Sequence, residues 1–560
     1  MQRSTKWIIL GALVVSTMTG CEKIEALTGG RRSSGDIPSE TDTKTKKANI
    51  IVDADGTTRL GGPSVIEQRE GKSVSSTTLA TGGASAAGPA DSWLYKKAKG
   101  PGYFLVSAAS HPNTVGGDMI RRINLSGSIK EFDYDKKTEG AQGAYILVPD
   151  AMREAVPAKY IDGDGLFSGI ICGFIPGPDK TIIALANGSE GGVAFLLDPY
   201  EEAPAFTPLQ AIRFPFATNT CRGIFSQDLN KIYVVDVART NAKNGQEGIF
   251  VADILKTDEP TIASFYVFDQ KDRINSHSVN NFQSLTLFND NLYLISGNGR
   301  FDGEWDNVIY TVPLNDLGEP LFEKVKHTRT QNPTVMTPGC GINDANIADV
   351  MVVDTAKGPR LLSTGTRATI AWDISGDALV KVDMDPDRPG IQGLNIEKMG
   401  RGGTRLLPTV NGKEIIQLTH CRSEKTSVKI DNDYDMLAFD LPVFEAKDLS
   451  LGKAIDAGYR EVLKSLKKAS YRPQFSMDFG DMAVGTKHIA VIGNSGADKS
   501  GLSAGGDVAI IDLSKRSNIG FTKPSDMRRA HEYRYGFKLA QGDSAFENVE
   551  QRSHAVIWIP

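Results

Sequence analysis

An all-β body of small sheets repeated around a central axis is the fold class this sequence predicts, on three observations. Past residue 100, short runs of β-branched and aromatic residues alternate with Gly, Asn, Asp and Pro, the pattern of strands and turns. Helical periodicity is nearly absent from that region. The runs also recur as a two-strand unit, an apolar strand, a turn and a second apolar strand often ending in Asp, at intervals of roughly 55–70 residues. At 560 residues the chain is too long for one ordinary core unless the architecture repeats. Four-stranded sheets repeated radially make a β-propeller, which leaves only short, protected edges.

Seven units are legible: 103–106 with 119–125, 181–185 with 193–198, 231–235 with 249–253, 291–295 with 308–314, 360–363 with 369–373, 414–418 with 436–440, and 488–492 with 508–512. Further apolar strands precede several units, as at Gly173-Phe174-Ile175, Gly223-Ile224-Phe225 and Leu285-Thr286-Leu287. Three strands per unit are therefore visible and a fourth fits the remaining length. Seven blades are expected. A pair of unrelated β-sandwiches is the rival fold, and so persistent a spacing disfavours it. The apolar strand Ser553–Ile559 at the C-terminus is expected to close the ring by joining the blade that the start of the body begins. One segment breaks the pattern. In Ala454–Ala469, Ile455, Tyr459, Val462, Leu463 and Leu466 fall at helical spacing, which predicts one inserted amphipathic helix between blades six and seven.

The N-terminus has a different character. Arg3 and Lys6 precede the apolar run Trp7–Val15, which is long enough for a signal segment and too short to span a bilayer. Met18-Thr19-Gly20-Cys21 follows, and it resembles the bacterial lipobox, departing only where Met18 replaces the usual Leu. The resemblance implies that residues 1–20 are a lipoprotein signal peptide. It implies also that Cys21 becomes the new N-terminus, carrying a diacylglycerol thioether and further palmitate-type acyl chains, which together anchor stably. Glu22, where inner-membrane lipoproteins of the enterobacterial type carry Asp, favours the outer membrane by the same resemblance.

Residues 21–98 read as a disordered tether, rich in Ser, Thr, Gly and charge and too poor in apolar surface to order itself. Some ~70 flexible residues would span roughly 45 Å. Within them, Asn49–Val52 could form a short strand, with a turn at 53–56. Residues 99–560 are the propeller. No later apolar run approaches the ~20 residues needed to cross a membrane, so a soluble body is expected.

Four cysteines besides Cys21, namely Cys172, Cys221, Cys340 and Cys421, permit disulfides in an exported protein. Cys172 and Cys221 precede equivalent strands of neighbouring units, so they are the first candidate pair, leaving Cys340 for Cys421. Two runs of alternating carboxylates, Asp383, Asp385, Asp387 and Asp431, Asp433, Asp435, could hold a hard cation such as calcium. Neither has the central Gly or the later Glu of an EF-hand loop. No other cofactor is expected. Asp162-Gly163-Asp164-Gly165 reads as a turn. The Asp that closes strands at 198, 253, 373, 440 and 512 recurs too regularly to be catalytic and is expected to bond the backbone of its turn. Residues 297–305, with Phe301 and Trp305, read as a hairpin connection or, less economically, a binding loop.

A formal charge of -5 over this length and the lack of a basic stripe argue against a nucleic-acid partner. The seven histidines are scattered singly, and no GxSxG, P-loop or HExxH occurs. Enzymatic activity is left open, with the balance against it. The leading expectation is a membrane-anchored binding or scaffolding propeller of the bacterial envelope, presenting a rigid surface to a protein or envelope ligand. The alternative is a propeller hydrolase or lactonase with an axial metal site. A third expectation is capture of a small ligand or polysaccharide.

Overall fold

The computed structural model describes residues 49–52, 58–61, 102–109 and 119–124, and residues 145–560 with interruptions at 188–190, 202–204, 216, 218–219, 221, 236–246, 269–281, 297–298, 302–303, 331–347, 365–368, 383–402, 420–426, 432–433, 460–480, 493–507 and 522–551. Within them the chain forms a seven-bladed β-propeller. Blades 2 to 5 are antiparallel meanders whose innermost strands are Ile170–Pro176, Arg222–Phe225, Phe282–Phe288 and Asp349–Thr355. Blades 6 and 7 begin with Gly403–Pro408 and Met482–Val484. Each innermost strand touches the next in chain order, and the circle ends where it began.

Closure comes from the C-terminus. Arg552–Ile559 is the innermost strand of blade 1, and it pairs antiparallel with Tyr103–Ala109, placing Ile559 opposite Tyr103 and Val556 opposite Val106. Met119–Asn124 lies outside them. The expected ring closure is therefore present. Gly102 makes it possible: at φ 61 its missing Cβ would fall 2.2 Å from the Ile559 carbonyl oxygen and 2.5 Å from the Trp558 indole nitrogen.

The blades are apolar on both faces because each is packed between two others. In blade 2, Ile182, Ala184, Val193 and Phe195 join the core shared with blade 1. Their neighbours Ile183, Leu185, Ala194 and Leu196 join the core shared with blade 3. Side chains that alternate across a strand thus feed alternate cores. Repeated around the ring, this gives seven separate inter-blade clusters among the described residues. The strands accordingly read as continuous apolar runs rather than apolar–polar alternation.

One expectation is corrected. The first residues of the segment read as a helix, Ile455–Tyr459, form a strand. It pairs antiparallel with Tyr434–Leu441, setting Leu441 opposite Ile455, and so supplies the outer strand of blade 6. The third strand of that blade is interrupted at Pro442, and only its continuation Val443–Glu445 reaches Glu414–Thr419. The outer edge of the third strand takes 455–459 as a fourth strand, as in the other blades, and edge pairing outweighs a helical period that these five residues satisfy only at Ile455 and Tyr459. Residues 460–469 of the expected helix lie outside the described residues. The expected tether, for its part, contains an antiparallel hairpin of Asn49–Val52 with Thr58–Gly61, and the second arm lies beside Ser264–Phe268, the outer strand of blade 3. The short strand at 49–52 and the turn after it were legible. Their docking was not, because it depends on an open sheet edge far away in sequence. No described helix is long and apolar enough to cross a membrane.

Trp558 is 3% exposed on the closing strand and packs where a Cβ on Gly485 would lie 2.6 Å away. Trp558→Ala is expected to cost about 3–5 kcal/mol, measured as a lower denaturant midpoint with an unchanged slope.

Candidate functional site at the propeller axis

Antiparallel connectivity gives the disc two unlike faces. Turns from first to second strand and from third to fourth leave one face, here the lower one. The first-to-second turns are tight, as at 177–181, 289–290, 356–357 and 485–487, whereas the third-to-fourth connections range from 513–516 to the longer 198–209 and 314–325. Connections from second to third strand and from each blade to the next leave the upper face. Long connections of this kind are 269–281, 330–348, 383–402, 460–481 and 522–551, while 125–144, which follows the third described strand of blade 1, is comparable in length. Loops carried on a rigid scaffold are where binding residues concentrate.

The lower face behaves as a structural rim. Asp198 accepts a hydrogen bond from the Tyr200 amide at 2.9 Å. Asp373 accepts from the Ser375 amide and hydroxyl at 2.9 and 2.7 Å, and Asp512 accepts from the same groups of Ser514 at 2.9 and 2.6 Å. These carboxylates hold their turns, as the repeat implied. Asp253 instead pairs with Lys231 Nζ at 2.5 Å across the sheet, and the described part of Asp440 is its backbone pairing with Asp456. Asp162 also holds a turn, accepting from the Asp164 and Leu166 amides at 3.0 and 2.9 Å.

Beneath the upper face the axis is charged. Arg222, Asp349, Arg405 and Asp481 stand at or near the heads of the innermost strands of blades 3, 5, 6 and 7. Asp349, Arg405 and Asp481 are 0%, 4% and 1% exposed. Burying four charges is costly unless each is paired, and the pairings run from blade to blade. Asp349 accepts a hydrogen bond from the Ser284 hydroxyl of blade 4 and one from the Leu406 amide of blade 6 at 2.8 Å. Its own neighbour Val350 donates at 3.0 Å. Asp481 accepts from Arg405 Nε at 2.7 Å and from the Val556 amide of the closing strand at 3.1 Å. Ser107 of blade 1 donates to the Ile171 carbonyl of blade 2 at 2.9 Å and accepts from the Ala555 amide at 3.0 Å. Thr220, leading into blade 3, donates to the Ala186 carbonyl of blade 2 at 3.1 Å.

Arg222 is placed differently. Its nearest carboxylate is Asp481, with nitrogen and oxygen 3.7 Å apart. Blades 3 and 7 are not neighbours, so this side chain reaches across the channel. Burial, then repulsion from Arg405, lowers the Arg222 guanidinium to about 10, with Asp481 and Asp349 opposing. Burial likewise pushes the Asp349 carboxyl above its ordinary range, against the pull of Arg405 and Arg222. Among the described residues the axis carries buried, paired charges. It is a charge lattice in which the described carboxylates serve as inter-blade clamps.

Most sequence-predicted site residues fall elsewhere. Cys21, Cys221, Cys340, Cys421, Asp383, Asp385, Asp387 and Asp433 lie outside the described residues. Cys172 is on the innermost strand of blade 2, at the register shift between Ile171 and Gly173. Asp431 and Asp435 belong to a hairpin of Ser427–Asp431 with Tyr434–Leu441. No group of three or more potential metal ligands occurs among the described residues. Gly299–Phe301 and Glu304–Asp306 form the expected hairpin, on the upper side of blade 4. The axial charges escaped notice because each is a lone residue in sequence. A signal existed: Arg222-Gly-Ile-Phe, Asp349-Val-Met-Val, Arg405-Leu-Leu-Pro and Asp481-Met-Ala-Val each open an innermost strand with a charge.

No protein-family model and no curated protein matches this chain. Solved structures do. A periplasmic gluconolactonase from Pseudomonas aeruginosa is 12% identical at a TM-score of 0.35, covering 74% of this chain and 99% of that one. A putative 6-phosphogluconolactonase from Bacteroides fragilis is 11% identical at 0.32, covering 76% and 99%. AztD from Citrobacter koseri is 9% identical at 0.32, covering 82% and 98%. No functional residue is carried over from likenesses of this size.

Two outcomes are expected. Asp481→Leu should destabilise by about 3–5 kcal/mol, because it strands Arg405 in the interior. Adding Arg405→Met should recover part of that loss, so a double-mutant cycle reads a coupling between them. On blade 7, His488 Nδ1 is buried without a partner among the described residues, and burial holds the imidazole below its ordinary 6.5, against Asp512. The unfolded chain therefore binds a proton more readily than the fold. Stability from this residue is present above pH 6.5 and is lost as pH falls below it. His488→Gln should flatten the fall in denaturant midpoint between neutral and acidic pH.

Proposed function

We propose that this protein is a lipid-anchored binding propeller of the bacterial envelope, held through Cys21 and presenting its upper face to a protein or envelope ligand. The observation that carries the reading is the asymmetry of the disc. Long connections such as 330–348, 383–402 and 522–551 leave one face and the tight first-to-second turns leave the other, while the axial carboxylates bond blade to blade beneath the first face. A rigid platform with long peripheral loops suits recognition, since little order has to be gained on binding.

Anchoring rests on the resemblance of residues 18–21 to a lipobox, and the outer membrane on Glu22. A disulfide between Cys172 and Cys221 belongs to the same reading. The Cys172 sulfur is bonded in a disulfide, Cys221 immediately precedes Arg222, and the strands at 170–176 and 222–225 are in contact. Such a bond would fix the head of blade 3 against blade 2 and suit an oxidising envelope compartment. Calcium at Asp383, Asp385 and Asp387, or at Asp431, Asp433 and Asp435, remains part of the proposal.

The full chain expressed in its own envelope should incorporate labelled palmitate and float with membranes, and Cys21→Ser should abolish both. A soluble form bearing an affinity tag at position 22 should retain a specific envelope component after cross-linking, and exchanging the 383–402 or 522–551 connection for a short Gly-Ser link should abolish that retention. Turnover of lactones that disappears on adding a chelator would overturn this reading in favour of a metal-dependent hydrolase.

A further inference from the structure

Among the described residues, Arg222 makes the longest ion-pair contact of the axial lattice. A guanidinium carries five N–H donors in a planar fork. Among the described residues its sole ion-pair partner is Asp481 at 3.7 Å, beyond hydrogen-bond length. Asp481 cannot serve it better, because its oxygens already accept Arg405 Nε at 2.7 Å and the Val556 amide at 3.1 Å. Asp349 is occupied by Ser284, Val350 and Leu406. Arg405, by contrast, is 4% exposed and directly bonded. The Arg222 side chain is 20% exposed and reaches across the axis from blade 3 toward Asp481 of blade 7.

We propose that Arg222 is the receptor for a ligand carboxylate entering the axial channel from the upper face. This rests on the binding reading above and names the chemistry at its centre. A planar two-oxygen anion matches the guanidinium fork, each oxygen taking one N–H. A cation does not suit the site, since both buried carboxylates are spent on inter-blade donors. A phosphate dianion would bring a second negative charge toward Asp349 and Asp481, whereas one carboxylate complements the positive charge that Asp481 meets only at a distance.

The test uses the full chain and two kinds of probe. Gluconate and succinate represent free acids. A short peptide with a free C-terminal carboxylate, paired with its amidated form, represents a protein partner. Calorimetry and thermal shift should show at least one carboxylate probe binding the unmodified protein. Arg222→Gln should weaken it tenfold or more, and Arg222→Lys, which keeps charge without the fork, should fall between. Should Arg222→Gln unfold, Arg222→Lys alone carries the comparison. Binding by the free acids identifies a small-molecule ligand, and binding by the free but not the amidated peptide identifies a protein terminus. The proposal fails if no carboxylate probe binds, if Arg222→Gln binds equally well, or if inorganic phosphate competes as strongly as the carboxylates. If the Gln variant still retains the envelope component by cross-linking, the upper face keeps its binding role and only the axial receptor is lost.

Discussion

A sheet that is apolar on both faces is stable only between two others, and this constraint organises the whole chain. Ile182 and Ile183, adjacent in one strand, are buried in different cores. No blade has a solvent face of its own, so the row of sheets must either continue or close. It closes, because the strand holding Phe104's partner Trp558 and Val106's partner Val556 comes from the far end of the chain. The hydrophobic effect favours seven inter-blade cores, and backbone hydrogen bonding at one seam decides that the seventh meets the first.

Closing a ring brings seven strand heads together, and the polar groups that collect there must satisfy one another. Ser284, Asp349, Arg405 and Asp481 do so in sequence around the axis, each bond crossing from one blade to the next. Such bonds contribute to register more than to net stability, since desolvation offsets most of their attraction. They explain how a face carrying long connections can be geometrically fixed at its centre. Stability lies in the cores between blades, and orientation lies in the charge lattice above them.

The opposite face obtains the same rigidity by local means. Asp198, Asp373 and Asp512 bond amides two residues ahead, contacts that need no other blade. Between blades the lower rim adds links such as Tyr233 to the Gly318 carbonyl at 2.8 Å and Arg516 to Glu414 at 3.0 Å. One face is held by turns that each sequence unit encodes for itself, while the other is held by residues that meet only when the ring is complete.

The sequence by itself determined the blades. Six of the seven two-strand units are the second and third strands of one sheet, while in the sixth 443–445 and not 436–440 pairs with 414–419. The turn role of Asp198, Asp373 and Asp512 was legible because period and turn chemistry are local properties. The closing strand was legible for a related reason: an apolar run at a chain end has to find an edge. Only the tertiary structure decided that 455–459 is a strand, since the edge it joins is the outer edge of a sheet that local sequence does not reveal. It also decided where the hairpin at 49–61 lies, against an edge more than 200 residues away. The axial lattice was decided in the same way. Asp349 and Arg405 are 56 positions apart and Arg222 and Asp481 are 259 apart, so their meeting depends on ring geometry, which no stretch of sequence contains.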